Sequence, residues 1–123
     1  MRGLVVDDSS VMRKVLTGAL SRVSINEVDE ATDGQEAVNL VADGNEYDVI
    51  LMDWNMPNMT GIEAVRAIRG SGDSTPIIMV TTEAEKERVI EAVKSGANSY
   101  IIKPFSPQGI VAKLQEVLQL QAG

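Results

Sequence analysis

Short runs of apolar residues, each followed by a longer amphipathic stretch, constrain the fold of this chain more than any other feature. One run, Ile25–Ala31, is weak, and the four clear ones are Leu4–Val6, Val49–Met52, Ile77–Val80 and Tyr100–Ile102. The clear runs do not alternate apolar with polar residues, as expected for strands that helices cover on both faces. Strand and helix signals alternate along the chain, so we expect right-handed crossovers. The pattern predicts an α/β fold with a doubly wound, five-stranded parallel sheet, (βα)5.

Local signals mark where the intervening helices begin and end. Apolar residues at three- and four-residue spacing predict the first helix, and a side-chain oxygen three residues before a Glu forms a capping box. Gly96 suits a helix C-terminus, and Ser106 before Pro107 suits a helix start. The predicted helices run from Ser9 to about Arg22, from Asp33 (box with Glu36), from Thr60 (box with Glu63) to about Arg69, from Thr82 (box with Glu85) to about Ser95, and from Ser106 to about Leu120.

Composition excludes several kinds of function. The chain has no Cys and no His, which rules out thiol catalysis, zinc fingers, a disulfide framework and every triad that uses His. It carries 18 acidic against 11 basic residues, a formal charge of −7, which argues against nucleic acid as the main partner. No apolar run approaches the roughly 18 residues of a membrane span, and the N-terminal residues lack a secretory signal pattern. We therefore expect a cytoplasmic protein whose chemistry uses carboxylates, hydroxyls and lysine.

Polar side chains follow four of the five predicted strands. They are Asp7 and Asp8 after the first, Asp53 after the third, Thr81 after the fourth and Lys103 after the fifth. Taken singly, each has an ordinary structural role as a helix cap, a turn residue or a solvated surface group. Ligands of open parallel sheets bind beyond the carboxyl ends of the strands. The joint placement of these residues therefore indicates one site for a phosphate or a cation.

Three carboxylates at one sheet edge repel one another and raise each other's pKa unless a cation relieves them. An all-oxygen set without His or Cys selects a hard ion, and few protein ligands with room for water favour Mg²⁺. One carboxylate can then act as nucleophile toward a phosphoryl group and form an acyl phosphate. Phosphoryl transfer needs mainly positioning and charge neutralisation, which a metal, one ammonium and one hydroxyl would supply.

The order of these residues resembles the receiver domain of two-component response regulators. The segments Asp53–Gly61 and Lys103–Phe105 look like the CheY-type chemotaxis regulators in particular, and the resemblance extends from Leu4 to about Leu120. It implies a flavodoxin-like sheet with strand order 2-1-3-4-5, which places the first and third strands side by side. It also implies a single receiver domain over residues 1–123, without an output domain.

The resemblance assigns a role to each site residue. Asp53 would be the phosphoacceptor, Thr81 would hydrogen-bond the phosphoryl group, and Lys103 would form a salt bridge to it. The implied ligands of Mg²⁺ are the carboxylates of Asp8 and Asp53 and the backbone carbonyl of Asn55, with Asp7 acting mainly through bound water. The Lys103–Pro104 peptide bond is expected to be cis.

Residues around the implied acceptor have regulatory roles in the family. Tyr100 stands where the family has an aromatic switch, which moves inward as Thr81 is drawn to the phosphoryl group. Asn55, Thr82 and Glu83 flank the site at positions expected to tune the rate of dephosphorylation. Thr82 is bulkier than the Ala or Gly that is usual there, so we expect it to narrow access to the phosphoryl group.

The implied function is that of a phosphorylation-activated response regulator in chemotaxis or motility. It would accept a phosphoryl group from the phosphohistidine of a CheA-like histidine kinase and catalyse its own phosphorylation and hydrolysis, as a signalling switch rather than a conventional enzyme. A target such as a flagellar motor switch protein would dock on helix 4, strand 5 and helix 5, at about Glu83–Ser95, Ser99–Lys103 and Ser106–Leu120. A phosphatase would be a further partner, and we expect a monomer that binds neither nucleic acid nor membrane.

Three other classes of function stay open at this point. A flavodoxin-like FMN-binding protein shares the topology, but Asp7 and Asp8 would repel its phosphate unless a cation intervened. A phosphatase of the haloacid dehalogenase type uses an Asp nucleophile and Mg²⁺, but its two aspartates are separated by one residue, whereas Asp7 and Asp8 are adjacent. A receiver-like interaction module without chemistry would not need the intact set of Asp53, Thr81 and Lys103.

Overall fold

The computed structural model describes residues 1–119, which form one five-stranded sheet and five helices. The elements are β1 (Arg2–Val6), α1 (Ser10–Ser21), β2 (Glu27–Ala31), α2 (Gly34–Ala42), β3 (Val49–Met52), α3 (Gly61–Gly70), β4 (Ile77–Thr81), α4 (Lys86–Ser95), β5 (Ser99–Ile102) and α5 (Pro107–Leu118). All strand pairs are parallel, in the order β2-β1-β3-β4-β5. The predicted doubly wound fold and strand order are confirmed. None of the described helices is long and apolar enough to cross a membrane.

The central strands supply side chains to two separate hydrophobic cores. Along β1, Leu4 and Val6 pack in the core that includes α2, α3 and α4, whereas Val5 packs in the core that includes α1 and α5. Every residue of β3 and β4 is buried. Helices therefore cover both faces of the sheet, which explains why the apolar runs do not alternate.

The edge strand β2 has the weakest apolar pattern, and its predicted start was wrong. The strand begins at Glu27 rather than Ile25, and only Ala31 among its five residues is fully buried. Ile25 lies in the turn after α1, where its N–H donates to the carbonyl of Leu20 (2.9 Å) and its side chain is fully buried. Its hydrophobicity therefore reflects packing in the core rather than membership of the strand.

Side-chain caps fix the starts of the first three helices. The Ser9 hydroxyl accepts an N–H from the first turn of α1 (3.2 Å). A carboxylate oxygen of Asp33 accepts the N–H of Glu36 at the start of α2 (2.9 Å). Thr60 and Glu63 form a complete capping box before α3. These caps satisfy N–H groups that have no partner within the helix.

The predicted capping box at the start of α4 was wrong. The helix begins at Lys86, with Glu85 in the N-cap position and no hydrogen bond from its side chain. Thr82 lies in the preceding loop. The Thr81 hydroxyl accepts the N–H of Glu83 (3.3 Å), and this turn keeps the loop out of helical conformation. The helix therefore starts only after the turn.

The last helix starts as the sequence predicts. The Ser106 hydroxyl accepts the N–H of Gly109 (3.0 Å), and Pro107 occupies the first turn. α5 ends at Leu118, and the predicted end at Leu120 lies outside the described residues.

Candidate functional site

The register of the parallel strands brings four of the predicted site residues to one edge of the sheet. Val6 is the last residue of β1 that pairs with β3, so Asp7 and Asp53 follow side by side. The Asp53 N–H donates to the Val6 carbonyl (2.9 Å), and the Lys103 N–H donates to the Thr81 carbonyl (2.8 Å). The acidic, hydroxyl and ammonium side chains therefore leave the sheet at the same end.

Three carboxylates meet at this edge. One oxygen from each of Asp7, Asp8 and Asp53 lies within 4.8 Å of the others. The residues Asp7 and Asp53 are only 1% and 8% exposed, whereas Asp8 is exposed. An all-oxygen set with one open side fits a hard divalent cation that keeps some of its water.

Asp7 has a protein partner at each carboxylate oxygen. Its Oδ1 accepts the N–H of Ser9 (2.8 Å), which shapes the turn into α1. Its Oδ2 accepts a hydrogen bond from Lys103 Nζ (2.9 Å). A carboxylate held in this way is better placed to act on an ion through water than as a direct ligand, and its predicted role through water stays a prediction.

The two oxygens of Asp53 have different surroundings. Oδ1 accepts the N–H of Trp54 (2.7 Å), whereas Oδ2 lies 3.5 Å from Lys103 Nζ. Burial raises the pKa of the Asp53 carboxyl; the Lys103 ammonium works against this rise and the Asp7 carboxylate adds to it, so the net direction is upward. The negative charge of Asp53 is therefore only partly compensated by the protein itself.

Thr81 and Lys103 complete the site from β4 and β5. Thr81 is fully buried, and its hydroxyl accepts the N–H of Glu83. A hydroxyl that accepts one hydrogen bond still has its own proton to donate. The Lys103 side chain is 15% exposed, and the Lys103–Pro104 peptide bond is cis. One hydroxyl and one ammonium thus lie beside the carboxylates, as the residues at the strand ends predicted.

Asn55 and Glu83 connect the loops after β3 and β4. The Asn55 side-chain amide donates to Glu83 Oε1 (3.0 Å). Thr82, between Thr81 and Glu83, is exposed. These are the three residues expected to tune the rate of dephosphorylation, and that role stays a prediction, as does narrowed access at Thr82.

Tyr100 on β5 is tied to the same loop. Its ring is half-buried and packs against the core that contains Trp54 and Met79. Its hydroxyl donates to the backbone carbonyl of Glu83. Burial, together with the Glu83 carboxylate, raises the pKa of Tyr100 to about 12, so the hydroxyl remains a donor at neutral pH. Tyr100 therefore contacts the site through the β4–α4 loop rather than directly.

Comparison with known proteins shows to which family the chain belongs. Residues 4–115 match the sequence profile of the response regulator receiver domain. The chain belongs to this family. It is 46% identical to the chemotaxis protein CheY homolog of Campylobacter jejuni, over 100% of this chain and 96% of that protein. It is 45% identical to the chemotaxis protein CheY1 of Helicobacter pylori, over 96% and 97% of the two chains.

Solved structures agree with the sequence comparison. The structure of chemotaxis protein CheY4 from Vibrio cholerae is similar with a TM-score of 0.85, at 40% identity over 94% of this chain and 97% of that chain. A receiver domain of the Francisella response regulator 1452 has a TM-score of 0.87, at 31% identity over 96% of both chains. This receiver domain is therefore CheY-like, a signalling switch of the response regulator class.

Gly61 has a structural role that the motif Asp53–Gly61 did not by itself reveal. Gly61 opens α3, and its N–H donates to the Trp54 carbonyl (2.8 Å). A Cβ at Gly61 would lie 1.8 Å from the backbone oxygen of Asp53, a distance that no real side chain tolerates. The α3 terminus can pack directly on the Asp53 backbone only because this residue has no side chain.

Sequence reasoning also missed Arg13 of α1. Its Nη1 donates to the backbone carbonyl of Asp7 (2.7 Å), and its Nε donates to a carboxylate oxygen of Glu30 (2.8 Å). The guanidinium thereby links the start of the β1–α1 loop to Glu30 of β2. Nothing in the sequence pattern separates Arg13 from an ordinary solvated helix residue, because its partners are a backbone oxygen and a residue of another element.

Proposed function

We propose that this receiver domain is the phosphorylation-activated regulator of a chemotaxis-type pathway and that Asp53 accepts the phosphoryl group. One observation carries the proposal: Asp53 Oδ2 lies 3.5 Å from Lys103 Nζ, within a cluster of three carboxylates whose oxygens approach within 4.8 Å. A carboxylate beside an ammonium and a cation site is the arrangement that phosphoryl transfer onto an acid requires. The donor is the phosphohistidine of a histidine kinase, which the proposal takes to be CheA-like.

The acceptor atom in this proposal is Asp53 Oδ2. Oδ1 is already engaged by the Trp54 N–H, which keeps the carboxylate plane fixed. Oδ2 attacks phosphorus, a new O–P bond forms, and the P–N bond to the donor imidazole breaks, with the electron pair returning to the imidazole. Lys103 then neutralises part of the negative charge on the transferred oxygens.

A bound Mg²⁺ would supply neutralisation of charge on the carboxylates and on the transferred phosphoryl oxygens. The residues proposed to hold it are Asp8, Asp53 and the backbone carbonyl of Asn55, with Asp7 acting through water. Asp8 offers the exposed carboxylate of the cluster. Asp7 is fixed by its hydrogen bonds to Ser9 and Lys103, so it would act on the ion through water rather than as a direct ligand.

The proposed signal passes from Thr81 to Tyr100. The buried Thr81 hydroxyl retains its own proton for the phosphoryl group while accepting the N–H of Glu83. Tyr100 donates to the carbonyl of that same Glu83. Movement of Thr81 toward a phosphoryl group therefore pulls on the loop to which the Tyr100 hydroxyl is bonded.

The proposed docking surface is the face of α4, β5 and α5. Exposed apolar side chains on α4 and β5 support it: Ile90, Val93 and Ile102. A target such as a flagellar motor switch protein is the proposed partner. The domain would act as a cytoplasmic monomer, with loss of the phosphoryl group tuned by Asn55, Thr82 and Glu83 and accelerated by a phosphatase.

The test is phosphorylation by a small-molecule donor. Incubation with acetyl phosphate and Mg²⁺ should add the mass of one phosphoryl group to the intact protein, and Asp53→Asn should abolish this addition. Asp43→Asn is the matched control, because it removes the same charge from an exposed residue at the end of α2. Equal phosphorylation of Asp53→Asn and the wild type would contradict the proposal.

A further inference from the structure

Arg88, in the first turn of α4, lies over the ring of Trp54. The central carbon of its guanidinium group is 5.3 Å from the ring centroid, within the roughly 6 Å reach of a cation–π contact. Trp54 is 6% exposed and directly follows Asp53, whose Oδ1 accepts the Trp54 N–H. The contact therefore joins α4 to the residue next to the proposed phosphoacceptor.

The first turn of α4 has few other anchors. Within this helix, all of which lies in the described part of the chain, Ala92 alone is fully buried, and the N-cap residue Glu85 makes no side-chain hydrogen bond. Glu91 pairs with Arg88 (3.3 Å) and with Arg66 of α3 (2.9 Å), but exposed ion pairs hold an element only weakly. The stack on Trp54 is thus a direct contact between this turn and the loop that follows Asp53.

We propose that Arg88 is a positioning residue for the acceptor site, acting through its stack on Trp54. The stack holds the Trp54 backbone, and with it the Asp53 carboxylate, in the geometry that binds Mg²⁺. The inference rests on the proposed function, since it concerns the same metal site. Coupling free energies are reciprocal, so bound Mg²⁺ strengthens the stack, and a partner that draws Arg88 away from Trp54 weakens the metal site.

The direction in which loss of Arg88 changes the binding of Mg²⁺ distinguishes a positioning role from a simple electrostatic one. Arg88 is a cation, and removal of a cation near an acidic cluster would by itself strengthen the binding of Mg²⁺. Loss of a positioning contact weakens that binding. Arg66 carries the same charge in the same ion network, through Glu91, but bonds to Ser95 and Glu91 rather than stacking on Trp54. It therefore provides a matched control.

The experiment titrates Mg²⁺ into the wild type, Arg88→Ala, Arg88→Lys and Arg66→Ala, following the amide chemical shifts of Asp8 and Asp53. Acrylamide quenching of Trp54, the single tryptophan, reports the stack independently. We expect Arg88→Ala to raise the dissociation constant of Mg²⁺ about two- to five-fold, the range that an exposed cation–π contact supports, and to increase quenching. Arg88→Lys should restore part of both effects, and Arg66→Ala should leave the dissociation constant unchanged or lower.

Two results would overturn the positioning role. One is an unchanged or lower dissociation constant in Arg88→Ala although quenching shows that the stack is lost. The other is an equal rise in Arg66→Ala, which would assign the effect to the ion network. A wild type with no saturable shift at Asp8 and Asp53 would instead overturn the proposed metal site, and the inference with it.

Discussion

Lys103 lies closer to Asp7 than to Asp53. Its Nζ is 2.9 Å from Asp7 Oδ2 and 3.5 Å from Asp53 Oδ2. The ammonium therefore makes its shorter ion pair with an acidic residue that is not the proposed acceptor. A phosphoryl group on Asp53, which carries about two negative charges near neutral pH, would compete with Asp7 for this ammonium. The exchange of partners at Lys103 is thus part of the proposed switch.

The first prediction concerns that exchange. Lys103→Arg should still be phosphorylated at Asp53 by acetyl phosphate, because a cation remains beside the carboxylate. Its planar guanidinium should not reproduce the compact contact of an ammonium shared between Asp7 and Asp53, so the response at Tyr100 should be lost. The measurements are intact mass for phosphorylation and the amide shift of Tyr100 on phosphorylation. A wild-type shift of Tyr100 in this variant would contradict the role given to Lys103.

The second prediction concerns the metal. Mg²⁺ at about ten times its dissociation constant should raise the free energy of unfolding by roughly 1.4 kcal/mol if it binds only the folded protein. Trp54, next to Asp53, should change its emission over the same concentration range. Urea unfolding with and without Mg²⁺ measures the first effect and fluorescence the second, and Asp8→Asn should weaken both. Unchanged stability and unchanged Trp54 emission together would rule out the metal site.

The third prediction follows from the raised pKa of the Asp53 carboxyl, which burial causes. The folded protein holds the proton at Asp53 more tightly than the unfolded chain does, so ionisation of Asp53 costs stability. This cost is absent below the ordinary Asp pKa of 3.8 and develops as the pH rises through the raised value. Asp53→Asn removes the charge and keeps an oxygen for the Trp54 N–H. Without Mg²⁺, it should therefore raise the melting temperature at neutral pH, and the difference should shrink in acid.

Thermal unfolding of both proteins across the acidic pH range checks this prediction. A lower melting temperature of Asp53→Asn at neutral pH would contradict the prediction. It would mean that hydrogen bonds from loop amides make the ionised carboxylate stabilise the fold, rather than that its charge costs stability.

The fourth prediction concerns the packing of α3 on the acceptor loop. Gly61→Ala places a Cβ 1.8 Å from the Asp53 backbone oxygen, so the loop must shift, at a cost of about 1–3 kcal/mol in unfolding free energy. Gly70→Ala is the control in the same helix, because no atom lies within 4 Å of a Cβ there and Ala favours the helix. Urea denaturation measures both. Equal stability of the two variants would show that the loop accommodates a side chain at residue 61.

The architecture could be predicted because its causes are local. The apolar runs Val49–Met52 and Ile77–Val80 need helices on both faces to be buried. The polar residues that follow four of the five parallel strands therefore lie at one edge of the sheet. The start of α4 could not be predicted in this way. Thr82 and Glu85 have capping-box spacing, but the Thr81 hydroxyl holds the loop in a turn, and the hydroxyl's burial depends on the whole sheet.

The site was predictable as a set of residues but not as a set of contacts. The preference of Lys103 for Asp7 depends on sub-ångström placement of three side chains from three strands. The stack of Arg88 on Trp54 joins a residue of α4 to a residue of the loop after β3 that is distant in sequence. Neither contact has a local sequence signal, since an Arg in the first turn of a polar helix is ordinarily a solvated residue.

The central claim is that loading Asp53 changes a distant docking face, and amide chemical-shift mapping with beryllofluoride plus Mg²⁺ as the phosphoryl mimic tests it most directly. In the wild type we expect shifts around Asp53 and also across α4, β5 and α5. In Thr81→Ala, which lacks one hydroxyl bond worth about 0.5–1.5 kcal/mol, the mimic should still shift the Asp53 loop but the shifts across the face should be several-fold smaller. Tyr100→Ala should behave as Thr81→Ala does. Shifts confined to the acceptor pocket in the wild type, or a full response of the face in Thr81→Ala, would contradict the account.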